Sequence, residues 1–287
     1  KILITGAKGM LGQEVARQLS EVTPEITLTD REEMDITDKT AVDNTIDSVK
    51  PDFIIHNAGY LEVNKAEDEK ELCRKVNVKG TENIARAAKR NGSTLVYIST
   101  DYVFDGKKTE PYKETDQTNP LGTYGKTKLE GEGVTAKHCK NHYIIRVSWL
   151  FGHAEGKANF VDKMIELSQK GPVKVINDQI GSPTYTKDVA GAIKLFITKH
   201  SKKDKVDYGV YHFSGVGETT RFGFTKEIFA QKKIKAALSP VKTTEFFAKS
   251  ERPAYAYLDK SKIEKALDTK VRLWGKMLSD YLKTAQH

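Results

Sequence analysis

Two cysteines in 287 residues are too few for a disulfide framework. Cys73 lies in a helical pattern and Cys139 near a helix end, without CxxC or Cys/His ligand spacing, so both are expected as buried or incidental thiols in a reducing compartment. No apolar run approaches the ~20 residues that cross a bilayer, and no signal peptide precedes the first strand pattern. A soluble, cytoplasmic protein is therefore expected. No internal repeat or low-complexity segment stands out. Without disulfides the fold has to rest on a core, and 287 residues suffice for one large domain or two modest ones.

Positive charge is plentiful, with a formal net charge of +8. A lysine surplus attracts polyanions, yet here the lysines are spread through the chain and interleaved with Asp and Glu. The densest run, residues 199–205, reads as a solvated connection between a helix and a strand. A nucleic-acid partner is not expected. What remains is a positive field that favours small anionic ligands such as nucleotides.

In the first half, short apolar runs alternate with helical patterns. Residues 2–5, 26–29, 53–56, 95–99 and 143–147 read as strands, with helices near 10–20, 38–49, 66–91 and 120–138. Such alternation implies an α/β fold, a Rossmann-type doubly wound parallel sheet that binds ligands at the carboxyl ends of its strands. Gly6, Asp30, Asn57 to Tyr60, Thr100 with Asp101, and Ser148 with Trp149 all fall at such ends. Beyond about residue 150 the pattern is less regular. Helices are expected near 158–170, 186–199 and 222–233, strands near 173–176 and 210–213, a Gly/Pro loop over 177–184, and a helical tail from 259. Residues 1–150 are read as a dinucleotide-binding domain. Residues 151–287 are read as mainly a smaller substrate lobe that interleaves with it across a soft boundary.

The opening KILITGAKGMLG (residues 1–12) is an apolar run ending in Gly6, Gly9 and Gly12, followed by an amphipathic stretch. Strand, tight turn and helix in that order offer glycines where the backbone must approach a pyrophosphate, and free amides at the helix start. The spacing is GxxGxxG rather than GxGxxG. Tyr124 and Lys128 stand four residues apart, on one helical face, where a cation favours the phenolate and brings proton transfer toward working pH. Thr100 places a hydroxyl at the same cleft. Together Thr100, Tyr124 and Lys128 form a carbonyl-reducing set.

The TGxxGxxG start, NAGY (57–60), STDYVFDG (99–106) and YGKTKLEGE (124–132) resemble the extended short-chain dehydrogenase/reductases, and within them the dTDP-4-dehydrorhamnose reductase family. The resemblance runs nearly end to end, through RVSWLFG (146–152), DQIGSPTY (178–185) and Arg252-Pro253. It implies NAD(P)H-dependent reduction of the C4 keto group of dTDP-4-dehydro-β-L-rhamnose. By that resemblance Tyr124 is the proton donor, Lys128 its pKa modulator and ribose ligand, and Thr100 the hydroxyl that binds the carbonyl. Asp101, Trp149 and Arg252 fall to the sugar nucleotide; Gly9, Met10 and Leu11 to the pyrophosphate; Asp35 and Ile36 to the adenine side; Ala58, Gly59 and Tyr60 to the middle of the cofactor. Trp149 also reads as core, Asp101 as a loop cap and Arg252 as a surface ion-pair partner. Of Tyr102 and Phe104, one is expected to face substrate.

Asp30 lies 18 residues beyond Gly12, near the ~20 of a carboxylate that grips the 2′-hydroxyl of NAD, while Arg31 suits the 2′-phosphate of NADP. NADPH is expected, with NADH usable. Some family members are described with a carboxylate-bound Mg2+ at a homodimer contact. Glu14 and Asp280 match acidic positions here, but the intervening site falls on Lys187 beside Asp188, which weakens the case for the metal and for that dimer. Two rival readings stand. One is another sugar-nucleotide enzyme of the superfamily. A dehydratase would carry Thr-Asp-Glu where this chain has Thr100-Asp101-Tyr102, whereas an epimerase would show no net NADPH consumption. The other is a non-catalytic NADP-binding regulatory subunit, like the reductase-related partner of methionine adenosyltransferase.

Overall fold

In the computed structural model, which describes all residues but 157, 203, 205, 246, 247 and 285–287, the apolar runs of the first half become one parallel sheet. Its strands are β1 (Ile2–Thr5), β2 (Ile26–Thr29), β3 (Phe53–His56), β4 (Thr94–Thr100), β5 (His142–Val147) and a last strand, Gly209–Phe213. From one edge the order is Gly209–Phe213, β5, β4, β3, β1, β2, and each neighbouring pair is parallel. The chain runs outward from β1 to β2, then crosses back to β3. The carboxyl ends of β1 and β3 thus flank the point where a doubly wound sheet opens a crevice.

Strands β1, β3 and β4 are buried at every residue, which explains their continuous apolar character. Side-chain alternation divides the core in two. Ile2 and Ile4 face a cluster with Leu11, Val15 and Leu19 of α1 (Met10–Leu19) and Val189, Ile193 and Phe196, while Leu3, Ile54 and Leu95 face Val42, Ile46, Ile84 and Ala88. The second cluster is closed by α2 (Lys39–Val49) and a segmented helical run, which differs from the single helix expected over 66–91. It consists of a 3-10 turn (Lys65–Glu67), α3 (Lys70–Arg74), a π turn (Lys75–Gly80) and α4 (Thr81–Asn91). The wide turn lets Asn77 point inward, and a Cβ on Gly80 would lie only 2.7 Å from Ile36.

Helix α5 (Thr123–His138) starts later than the expected residue 120 because Glu67 captures both the amide and the hydroxyl of Thr123, each at 2.8 Å. Then come α6 (Phe160–Lys170), α7 (Thr186–Ser201), α8 (Arg221–Lys232), α9 (Ser261–Leu267) and α10 (Trp274–Thr284). Short strands pair 150–151 with 184–185, 173–176 with 238–241 and 180–181 with 219–220, so the 177–184 loop is partly extended. The tail from 259 is helical as expected, in the two helices α9 and α10, and its residues 285–287 lie outside the described residues. Helix α7 runs to Ser201 into the lysine-rich 199–205 run, of which positions 203 and 205 also lie outside them. The second half both completes the sheet through Gly209–Phe213 and packs α7 against α1. Among the described residues, no helix is long and apolar enough to cross a membrane.

Candidate active site

A cavity of about 380 Å3 opens at the carboxyl ends of β1 and β3. A larger one, of about 690 Å3, lies at the opposite edge, against Ile2, Phe53 and Thr94 at the amino ends of their strands, away from every candidate cofactor, substrate or catalytic residue. The smaller cavity is lined by Gly6, Gly9, Asp30, Arg31, Asp35, Ile36, Ala58, Gly59 and Tyr60. Its glycines are set by backbone crowding. Gly6 has φ +63°, and a Cβ there would meet the Ala58 nitrogen at 2.7 Å; one on Gly12 would stand 2.2 Å from the Gly6 carbonyl oxygen. Met10, Leu11 and Gly12 do not line the cavity. The Leu11 side chain belongs to the core, which leaves its backbone as the part able to meet a phosphate.

The nicotinamide dinucleotide implied by the resemblance fits this wall. Helix α1 starts at an extended Gly9 with no side-chain cap and no acidic residue in its first turn, so its amides are free for a pyrophosphate. Both polar side-chain atoms of Asn57 are buried without a partner. Exposed Leu61 and Leu72 offer apolar surface to a base. The Asp30 carboxylate accepts from the Lys8 and Arg31 amides at 3.0 and 2.8 Å, whereas the Arg31 side chain is 85% exposed, 4.0 Å from Asp35. Lys75 lines the same cavity.

Strand β4 and helix α5 bring the reducing set together. Tyr124 is buried in the first turn of α5, its ring edge-on to Tyr102 at 5.4 Å. Burial pushes its phenol well above the ordinary value, and the nearby Thr100 hydroxyl pulls the other way. The net shift is upward, opposite in direction to the lowering expected from Lys128, because burial and the nearby Asp101 both oppose the phenolate. The Lys128 ammonium donates instead to the Ile98 carbonyl at 2.6 Å and sits 4.2 Å from the centroid of the Tyr97 ring. Burial brings Lys128 itself down to about 7, opposed by the negative charge of Glu132.

The Thr100 hydroxyl donates to Asp101 at 3.0 Å, and the other Asp101 oxygen accepts from the Ser148 hydroxyl at 2.7 Å. Burial raises this carboxyl to about 6 despite both donors and the charge of Arg221. Trp149 has φ +44°, unusual for a bulky residue, and its ring covers Gly181, where a Cβ would come within 2.6 Å. Arg252 is partly buried, and its Nε has no partner. Phe104 is core, stacked on Tyr112, while Tyr102 lies at the cleft beside Tyr124.

Sequence reasoning missed several supports. Asn77 accepts from the Tyr60 amide at 2.8 Å and donates to the Tyr60 carbonyl and to Thr127, fixing the loop after β3. His56, held neutral by burial, links Thr5 to Thr81. Glu132 and Arg146 form a buried ion pair behind α5 at 2.7 Å, with Ser99 donating to Glu132 at 2.5 Å. The only sequence signal was polar residues within apolar or helical runs. Arg221, the first residue of α8, lies over the Trp149 ring at 3.7 Å and was not singled out.

The residues matched to the metal described for some family members do not fit one. Glu14 accepts from Arg17 and Gln18, and Arg272 is bidentate to Asp188 at 2.7 and 2.8 Å while also pairing with Asp280. A guanidinium thus joins the two aspartates, and Lys187 lies close enough to depress Glu14. Among the described residues, no group of three or more His, Cys, Asp or Glu is arranged to hold a metal ion.

Residues 1–287 match the family described as RmlD substrate binding domain. The chain is 38% identical to the spore coat polysaccharide biosynthesis protein SpsK of Bacillus subtilis, over 99% of this chain and 97% of that protein. It is also 38% identical to the dTDP-4-dehydrorhamnose reductase of Aggregatibacter actinomycetemcomitans, over 98% and 97%. The crystal structure of dTDP-4-dehydrorhamnose reductase from Bacillus anthracis in complex with NADP superposes with a TM-score of 0.92 at 34% identity, covering 99% of each chain. On the full-length family match and these relatives, the chain belongs to the dTDP-4-dehydrorhamnose reductase (RmlD) family.

Proposed function

We propose that the protein reduces the C4 keto group of dTDP-4-dehydro-β-L-rhamnose to give dTDP-β-L-rhamnose, using NADPH. The observation that carries this reading is Tyr124 and Lys128 of α5 set against β4, which ends in Thr100, with the Lys128 ammonium 3.9 Å from where a Cβ on Gly59 of the glycine cradle would stand, in a chain of the reductase family. The nicotinamide supplies hydride to C4. Tyr124 gives its proton to the C4 oxygen, and its buried, protonated phenol suits a donor. Thr100 orients that oxygen, and Lys128 holds the ribose and favours the tyrosinate once the proton has left. Asp101, Trp149 and Arg252 hold the sugar nucleotide.

The exposed Arg31 guanidinium and Lys75 support NADPH over NADH, because the Asp30 carboxylate is already committed to two backbone amides. NADH remains usable. In this reading residues 1–150 hold the dinucleotide and 151–287 mainly the sugar, with Gly209–Phe213 and α7 returned to the sheet. The two buried free thiols accord with a cytoplasmic site. A homodimer would use contacts other than a metal bridge between Glu14 and Asp280.

The test is loss of reduced-nicotinamide absorbance with NADPH and freshly generated dTDP-4-dehydrorhamnose, with NADH and Tyr124→Phe alongside. Stoichiometric oxidation that falls by roughly a hundredfold or more in Tyr124→Phe, with NADPH binding unchanged, is the expected result. Full activity in that variant removes the proton-donor role. Sugar and dinucleotide binding without oxidation would favour an epimerase or a regulatory subunit.

A further inference from the structure

We propose that Glu67 is a positioning residue for the reduction: it clasps the segment 249–256 of the second half to the first turn of α5, so that the sugar side and Tyr124 are held in one arrangement. The proposal rests on the reductase reading above. Glu67 ends the 3-10 turn Lys65–Glu67, and its carboxylate takes three donors, the Thr123 amide and hydroxyl at 2.8 Å each and the Ser250 hydroxyl at 3.1 Å. Ser250 is buried and comes from the far end of the chain. Partial desolvation opposes the charge, yet the hydrogen bonds from Thr123 and Ser250 hold this carboxyl below its ordinary value, so it stays ionised and accepts from both residues. Beside it Lys249 pairs with Asp68 at 2.6 Å, but both side chains are exposed and such a pair adds little.

Helix α5 depends on this partner. It follows Gly122, which has no side chain to cap the helix, and a Cβ there would stand 2.5 Å from the Ser250 Oγ and 2.7 Å from the Glu67 Oε1. A side chain at 122 would displace the clasp, so capping falls to a carboxylate from outside the helix, which also meets the positive end of its dipole. Tyr124 directly follows Thr123, so the cap fixes the turn from which the phenol projects. The 249–256 segment is tied in turn to the loop under Trp149. The Ile180 amide donates to the Ala254 carbonyl at 2.7 Å, the Ala256 amide donates to the Ile180 carbonyl at 2.8 Å, and the adjoining Gly181 makes room for the Trp149 ring. The support of Trp149 and the support of Tyr124 thus meet at one carboxylate. The cofactor loop hangs on a different one, Glu69, which accepts from the Tyr60 hydroxyl at 2.8 Å.

Steady-state kinetics with NADPH and the keto sugar nucleotide varied in turn tests the assignment in wild type, Ser250→Ala, Glu67→Gln, Glu67→Ala and the Glu67→Ala/Ser250→Ala double variant, with thermal unfolding alongside. Ser250→Ala leaves the cap on Thr123 in place, and should raise KM for the sugar nucleotide by roughly threefold to tenfold with KM for NADPH unchanged. Glu67→Ala should also lower kcat, by roughly tenfold or more, and Glu67→Gln, which keeps one accepting oxygen, should recover much of that loss. In the Glu67→Ala background the Ser250 change should add nothing, because the two act as a unit. If Glu67→Ala does not fold, Ser250→Ala and Glu67→Gln decide. A lowered Tm with kcat and both KM values unchanged would make the clasp structural only, and a loss confined to NADPH would assign it to the cofactor loop; either overturns the proposal. Additive effects in the double variant overturn it too, all three leaving the reductase reading intact. A wild-type protein that does not oxidise NADPH with the keto sugar would overturn both.

Discussion

Gly6 and Gly9 wall the dinucleotide cavity with backbone, braced by Gly12 behind them, whereas the substrate wall proposed above is built from the side chains of Asp101, Trp149 and Arg252, with Arg221 over the Trp149 ring. On the first wall, polar groups are either committed to backbone or left open where a dinucleotide would bind, and crowding fixes the geometry. The second holds a buried carboxyl raised to about 6, an indole on a left-handed backbone, Arg221 stacked on that indole and Arg252 with an unpartnered Nε. Such features cost stability and persist only where surrounding structure holds them. On the function proposed above, the cofactor wall would work through shape that leaves no room for a side chain, and the substrate wall through charges and strain that a bound sugar nucleotide would relieve.

A substitution that fills backbone space should damage the first wall most. Gly12→Val would put its Cβ 2.2 Å from the Gly6 carbonyl oxygen, where only backbone can give way. Overpacking of this kind costs about 1–3 kcal/mol, so NADPH affinity should fall between roughly tenfold and a hundredfold, with dTDP affinity much less affected. NADPH titration decides it. Affinity within about twofold of wild type would mean that the turn adapts and that this wall is not set by backbone crowding.

The matching change on the second wall is gentler. Gly181→Ala would place its Cβ 2.6 Å from the Trp149 ring, which Arg221 covers. A side chain can yield where backbone cannot, so the expected effect is a rise of roughly threefold to tenfold in KM for the sugar nucleotide, with NADPH affinity unchanged. Steady-state kinetics with each substrate varied in turn gives the split. A loss confined to NADPH would dissolve the distinction between the walls.

The same contrast explains what the sequence shows in advance. The sheet was legible because buried parallel strands read as short unbroken apolar runs, and the strand ends could be counted off. The glycine turn was legible because sterics demand glycine at fixed spacing. The broken run from 65 to 91 was not, since a π turn carries no composition signal and Asn77 reveals its role only through Tyr60 and Thr127, distant in sequence. Thr100, Tyr124 and Lys128 were readable as a set, but the protonation of the tyrosine was not, because burial depends on what the whole fold places over the ring. Arg221 and the Glu132–Arg146 pair owe their surroundings to chain returning from residues after 140. No local pattern encodes those partners.

The last effect is on stability rather than on binding. Asp101 has a folded-state pKa of about 6, above its ordinary 3.8, so the folded protein holds this proton more tightly than the unfolded chain. Its contribution is therefore favourable below about pH 4, declines as pH rises, and above about pH 6 the full cost of a buried carboxylate is present. Asp101→Asn removes the titration and keeps a group that can meet the Thr100 and Ser148 hydroxyls. Near pH 8 it should be more stable than wild type, by on the order of 2 kcal/mol, or a few degrees in Tm. That gain should vanish near pH 4, and reduction of the keto sugar should be slower throughout. Thermal unfolding across that range is the measurement. A variant less stable at high pH would show that Ser148, Thr100 and Arg221 more than offset the burial of this charge, and that the substrate wall is less strained than its partner across the cleft makes it look.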